Sequence, residues 1–336
     1  MTDIIIVVLG IAVLLYVLLG GADFGAGIVE IFTGKRGIDT ISKAIAPVWE
    51  ANHIWLILAI VILFNGFPHV FATFTTYLHI PLLIILVGII LRGTAFTFRY
   101  YDAVKDDTQY YYTRLFRISS LLTPFFFGVI LGAIILGKIP ASVHGTFYEI
   151  FISPWLNLFT FTTGIFLTLL FAWLASVFLI GEAHDEENYY TFVRTARFFF
   201  IILIVSGLSV FFVAEFHELH FFKKFIHSSV AIVCVVVATL MIPLIWRNIK
   251  LRNNVYTRLW TGIQTACIVT GWFAVQFPVM IFISGGSHLT IANSQAPQRT
   301  MSLLVYALVV GIFLIFPAFA YLFKVFKFDN GQEETS

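Results

Sequence analysis

Nine predominantly apolar stretches, most of them about 20 residues long and separated by short polar loops, decide what this chain of 336 residues can become. A helix needs roughly that length to cross the hydrocarbon core of a bilayer. The runs fall near residues 4–31, 47–65, 78–98, 117–137, 155–180, 198–214, 227–246, 259–283 and 302–323. In hydrocarbon the backbone must satisfy its own hydrogen bonds, so the expected fold is an all-α polytopic membrane protein with nine transmembrane helices. Only 11% of the residues are charged, against about 25% in a soluble domain, and 60% are hydrophobic. The first run reads as a span rather than a secretory leader, because Asp3 replaces a basic n-region and no small-residue cleavage site follows.

Basic residues set the expected orientation. With nine spans and the N-terminus outside, fifteen Lys and Arg fall on the cytoplasmic side, among them Lys35, Arg36, Lys43, Arg99, Lys105, Arg117, Lys324 and Lys327. Four fall outside (Lys138, Lys223, Lys224 and Arg299), and Arg92 lies within the third span, which accounts for all 20. The net charge of +2 and the lack of a basic stripe interleaved with aromatics speak against a nucleic-acid partner. Cys234 and Cys267 lie in apolar runs and form no CxxC pair, so a disulfide framework, a zinc knuckle and a c-type haem attachment are not expected.

The chemistry is carried by the few charges at membrane depth, where a carboxylate is costly and is usually kept for function. IAPVWEANHIW, residues 45–55, places Glu50 and His53 three residues apart at the start of the second span, on neighbouring positions of one helix face, with Asn52 beside them. In the first span GGADFGAG carries Asp23, with Glu30 nearer the cytoplasmic end. Gly21, Gly25 and Gly27 would admit a close-packed helix, bringing Asp23 and Glu50 within reach of each other. Glu50, Asp23, His53, Asn52 and Glu30 are therefore proton-path candidates. The plainer readings are solvation in the headgroups for Glu30 and Glu50, a structural hydrogen bond for Asp23 and interface anchoring for Trp49 and Trp55. Gly128 and Gly132 repeat the GxxxG spacing, a weak signal alone.

No second Glu-x-x-His accompanies Glu50 and His53, which speaks against a di-iron carboxylate site. His217-Glu218-Leu219-His220 is one residue short of H-E-x-x-H and lies at an outer helix end, where an interfacial or partner contact is expected. Of nine histidines only His53 is expected deep in a span, too few for a chain that binds haems through paired histidines. No metal ligand set is assigned.

Taken in order, GGADFGAG, KAIAPVWEANHIWLILA, LFNGFP and LRGTAFTFRYYD resemble the N-terminal signature of subunit II of cytochrome bd-type quinol oxidases, including the cyanide-insensitive ones. The similarity is strongest over residues 16–102, with QFPVM of the eighth run as a scattered later match. Many members carry Asp where Glu50 stands, and some carry a further acid near Gly20 that is absent here. The resemblance implies two four-helix bundles, residues 1–137 and 155–283, plus a peripheral ninth helix at 302–323. It implies a haem-bearing subunit I as partner, holding haem b and d-type haems or haem b alone, with quinol and dioxygen handled by the complex. Glu50 and Asp23 match positions on or beside a cytoplasmic proton route. Trp49, Trp55, the three glycines, Arg92 and Arg99 are carried as structural or interface candidates. Room remains for a structural quinone and a small single-span subunit, and the expected location is a bacterial or archaeal cell membrane. A secondary transporter with intramembrane acids and a purely structural subunit stay open as alternatives.

The charge asymmetry is directly checkable. Asn188→Cys and His144→Cys should react with an impermeant thiol reagent from opposite faces of intact cells; labelling from one face would overturn the nine-span alternation.

Overall fold

The computed structural model describes residues 1–47, 49–102 and 107–323. Lys105, Lys324 and Lys327, counted above among the basic residues, lie outside them. The first span is one continuous rod: α1 (Thr2–Leu15), a widened π turn at Tyr16–Gly20, and α2 (Gly21–Thr33). Gly34, at φ 62°, ends it and turns the chain into the short amphipathic α3 (Lys35–Ile45). Then come α4 (Trp49–Gly66), α5 (Pro68–Tyr77), α6 (His79–Tyr101) and α7 (Thr108–Leu136). The second half runs through β1 (Ile139–Pro140), α8 (Phe147–Phe151), α9 (Leu158–Ile180), α10 (Glu186–Phe216), α11 (Phe221–His227), α12 (Ser229–Lys250) and α13 (Asn254–Gln276). It closes with β2 (Val279–Ile281), β3 (Ile283–Ser284), β4 (Leu289–Thr290), α14 (Ile291–Ser294) and α15 (Gln298–Phe323).

Side-chain caps fix several helix starts by accepting from otherwise orphaned backbone N–H groups. Asn157 caps α9 through Thr160 N at 3.1 Å, Asp185 caps α10 through Asn188 N at 2.7 Å, and Asn253 caps α13 through Tyr256 N at 3.3 Å. Among the described residues, eight helices are long and apolar enough to cross a membrane, with Thr2–Thr33 as one. The chain is a multi-pass, all-α membrane protein. The exception to the nine expected runs is α13, which has 23 residues but carries Arg258, Thr257, Thr261, Gln264 and Thr265 toward its neighbours. Its apolar continuation was also misplaced: the helix stops at Gln276, and the QFPVM segment leaves it for β2. Short β pairs, β1 with β3 parallel and β2 with β4 antiparallel, close that end of the molecule.

At the centre stands α9, buried on almost every side against α2, α7, α10 and α13. The other close neighbours are α6 with α7 and α12 with α13, while α15 leans on α1 and α4. Apolar side chains fill one core around α2, α9 and the inner half of α10, and a second around α1, α5 and the β pairs. Outward faces remain apolar as well, with Phe64, Leu83, Phe212, Leu240 and Phe313 exposed, as lipid contact requires.

Small residues let the helices approach. The glycines of α2 do admit a tight contact, though with α7 and α9 and not with the helix of Glu50. A Cβ on Gly25 would land on the Phe171 carbonyl, one on Gly21 would sit 2.9 Å from the Phe171 ring, and one on Gly27 would strike Ser120. The GxxxG pair of α7 is a real contact: a Cβ on Gly128 would lie 2.5 Å from the Thr163 carbonyl oxygen, and one on Gly132 2.9 Å from Thr160 Cα. Gly25→Ala should therefore cost about 1–3 kcal/mol by overpacking and lower the thermal midpoint of the purified protein. Gly10→Ala, where nothing stands within 4 Å, should leave that midpoint unchanged or slightly raised.

Candidate functional site

Asp23 and Glu30 lie seven residues apart on one face of α2, and Arg92 and Arg99 lie seven apart on α6. Seven residues are close to two helical turns, about 10 Å along the axis, so two parallel helices in register present two acids to two arginines. Arg92 grips Asp23 as a fork: Nη1 donates to Oδ2 at 2.8 Å, Nη2 to Oδ1 at 2.7 Å, and Nη2 also to the Asp23 carbonyl at 2.8 Å. Its Nε donates to Ser120 Oγ of α7 at 3.0 Å, and the guanidinium lies over Phe24 and Phe116. Two turns on, Arg99 Nη1 donates to both oxygens of Glu30 at 2.9 Å, and Arg117 Nε adds a bond to Glu30 Oε1 at 3.0 Å. Arg99 Nη2 reaches Ser42 of α3 at 3.1 Å, so the amphipathic helix is tied over this end of the cluster.

These contacts correct three expectations. Asp23 is paired with Arg92, and Glu50 does not meet it: Glu50 is exposed at the start of α4. Glu30 is wholly buried between two arginines and not solvated among headgroups. Asn52 does not stand beside the exposed Glu50; its side chain is buried and Nδ2 donates to Leu19 O at 3.3 Å. Leu19 belongs to the π turn, where the ordinary i→i−4 ladder is loosened, and Asn52 steadies it from the next helix. The tryptophans are packing groups: Trp49 rests on Phe96 at 5.7 Å and Trp55 is buried in the core.

His53 is half-buried, its ring 6.3 Å from Phe24 and 6.4 Å from Tyr16, and the charges of Asp23, Arg92 and Glu50 all reach it. The sequence therefore brings Glu50, His53 and the Asp23–Arg92 pair into one region, with His53 between an exposed acid and a buried one. Arg117, Ser120, Ser42 and Tyr16 were not singled out beforehand. Gln264 was also missed, although a glutamine in an apolar run is a readable signal; it accepts from Trp173 Nε1 at 3.1 Å and donates to Ala238 O at 3.2 Å, tying α9, α13 and α12. Arg258 likewise pairs with Glu182 at 2.8 Å.

Among the described residues no group of three or more His, Cys, Asp and Glu is placed to hold a metal ion, and the remaining histidines stand at helix ends or in loops. At the closed end His217 packs on Phe159, and burial, then the neighbouring Lys138, hold its pKa below the usual histidine value. His220 faces Glu215 at 3.5 Å with both exposed.

The class is thus a multi-pass helical membrane protein with buried ion pairs in its interior and Glu50 exposed at the start of α4. The chain belongs to the cytochrome bd terminal oxidase subunit II family, whose model matches residues 1–326. It is 25% identical over 299 residues to a cytochrome bd ubiquinol oxidase subunit 2 of Bacillus subtilis, covering 86% of this chain and 85% of that one. A putative cytochrome bd menaquinol oxidase subunit II of the same organism is 24% identical, covering 95% and 93%. Cytochrome bd-I ubiquinol oxidase subunit 2 of Escherichia coli is 26% identical over 193 residues, 55% of this chain and 47% of that one. In fold the chain is similar to the bd oxidase of Geobacillus thermodenitrificans, with a TM-score of 0.74, 18% identity and coverage of 97% and 98%.

Breaking one buried pair should cost more than removing both charges. Asp23→Asn leaves the Arg92 charge without its counter-ion and should lower stability by about 3–5 kcal/mol, with loss of assembled protein. The double variant Asp23→Asn/Arg92→Met should recover part of that loss, read as thermal midpoint and yield after purification.

Proposed function

We propose that this chain works as the haem-free half of a quinol oxidase in a cell membrane, docked on a haem-bearing subunit I and guiding protons toward it. The haems, held by that partner, would pass quinol electrons to dioxygen, a reaction that consumes protons. Nine spans with the N-terminus outside fit the reading: the fifteen-to-four charge split favours it, and α13, about 35 Å long, has the reach of a span despite its polar face. A division into two bundles, α1 to α7 and α9 to α13, with α15 beside them, belongs to the same reading.

The observation that carries the reading is the placement of Glu50. It is an exposed carboxyl on the flank of α4, with His53 one turn inward and the Asp23–Arg92 pair beyond. Hydrocarbon does not conduct protons, so a route must be built from titratable groups or ordered water, and an imidazole can take and release protons near neutral pH. Asp23 and Glu30 have a different part. Clamped by arginines, they tie α2 to α6 and α7 through charge-assisted hydrogen bonds, so for them the structural reading is favoured.

In the assembled oxidase, Glu50→Gln should leave the haem spectrum and subunit ratio intact and lower quinol oxidase turnover, with Glu50→Asp retaining more activity than Gln. Parental turnover of Glu50→Gln across a range of pH would make Glu50 a bystander.

A further inference from the structure

Two polar atoms beside the Asp23–Arg92 pair have no use in the packing described so far. Tyr16 is 6% exposed, and its Oη makes no hydrogen bond among the described residues; His53 Nδ1 is buried and equally unpaired. Buried polar groups are almost always hydrogen-bonded to protein or to ordered water, so each orphan asks for a partner. The two belong to facing rings, 6.4 Å between centroids and tilted by 44°, in a wall otherwise made by Phe24 and Phe127. Tyr16 opens the π turn, the widened turn that Asn52 steadies at Leu19, so the backbone irregularity and the orphaned hydroxyl fall at one place. Such turns recur at functional sites.

We propose that Tyr16 Oη and His53 Nδ1 together hold one buried water molecule that links Glu50 to the Asp23–Arg92 pair. The inference rests on the reading of Glu50 given above and deepens it. A water needs two to four polar partners, and here two neighbouring rings each bring a buried, unpaired polar atom, a hydroxyl that can donate or accept and a ring nitrogen that can do either according to tautomer. The two atoms make no direct bond to each other, although their rings are neighbours. Asp23 and Arg92 act electrostatically on both rings and Glu50 on His53, so a dipole at this point is oriented from both sides. A proton taken up at one imidazole nitrogen can leave from the other, and the bound water is the group that receives it; no bond other than N–H and O–H is made or broken.

Tyr16→Phe removes the hydroxyl and keeps the ring. In the intact oxidase complex it should lower kcat by about tenfold or more, with the KM for quinol, the haem spectrum and the subunit ratio at parental values. Parental kcat in Tyr16→Phe, with Glu50→Gln slow, overturns the water link and leaves the Glu50 reading standing. Parental turnover in Glu50→Gln removes that reading, and the proposal with it. Should Tyr16→Phe fail to assemble, a high-resolution map of the parental complex decides: density within hydrogen-bond distance of both atoms supports the site, and other partners for either atom overturn it.

Discussion

Everything in the first half of this protein hangs on carboxylates that hydrocarbon would not tolerate alone. Asp23 and Glu30 are acceptable inside the bilayer because α6 delivers Arg92 and Arg99 at the same seven-residue interval. The match fixes rotation and height of α2 against α6 at once. A slip of one residue would turn both arginines off the acids, so the pairs act as a register lock that apolar packing, which is tolerant of sliding, could not supply. Phe116 lies between the levels, under the guanidinium groups of both arginines. Ser120 and Arg117 complete the set from α7, which explains why α2 needs a glycine opposite Ser120.

The second constraint is central rather than charged. Because α9 is surrounded, its neighbours must come close, and glycine supplies the room at Gly25 and Gly128. Polar ties stand where the helices of the second half meet, as with Trp173 of α9, Gln264 of α13 and the Ala238 carbonyl of α12. Each satisfies groups that would otherwise be buried unpaired.

Much of this was legible in the residues. Long apolar runs identified the membrane class and most helices, since hydropathy measures the very quantity that decides insertion. Boundaries failed where apolar composition outlasts the helix: Val279, Met280 and Ile281 continue the hydrophobic run but lie in a strand. The site was half legible. Asp23, Glu30, Glu50 and His53 stand out because charge is rare at that depth, and GGADFGAG announced close packing. Arg92 and Arg99 are readable as structural or interface candidates too, but which acid each one meets is not, because pairing depends on the relative height of helices 69 residues apart. Counting basic residues assigns Arg99 and Arg117 a side of the membrane and nothing more, whereas both are within helices and bond Glu30. Tyr16 carried no signal at all: an aromatic in an apolar run looks like any other, and its significance appears only with the unpaired hydroxyl.

That same separation has a meaning in time. Synthesis proceeds from the N-terminus, so Asp23 and Glu30 emerge 69 residues before the arginines that neutralise them, and Glu30 waits 87 residues for Arg117. During that interval the first span either crosses with its acids protonated or stays in a polar surrounding until the third and fourth spans arrive. The first three membrane helices are therefore not independent insertion units. The arrival of α6 is the event that brings the acids of α2 their arginine partners, and the order of the chain becomes part of how the fold is reached.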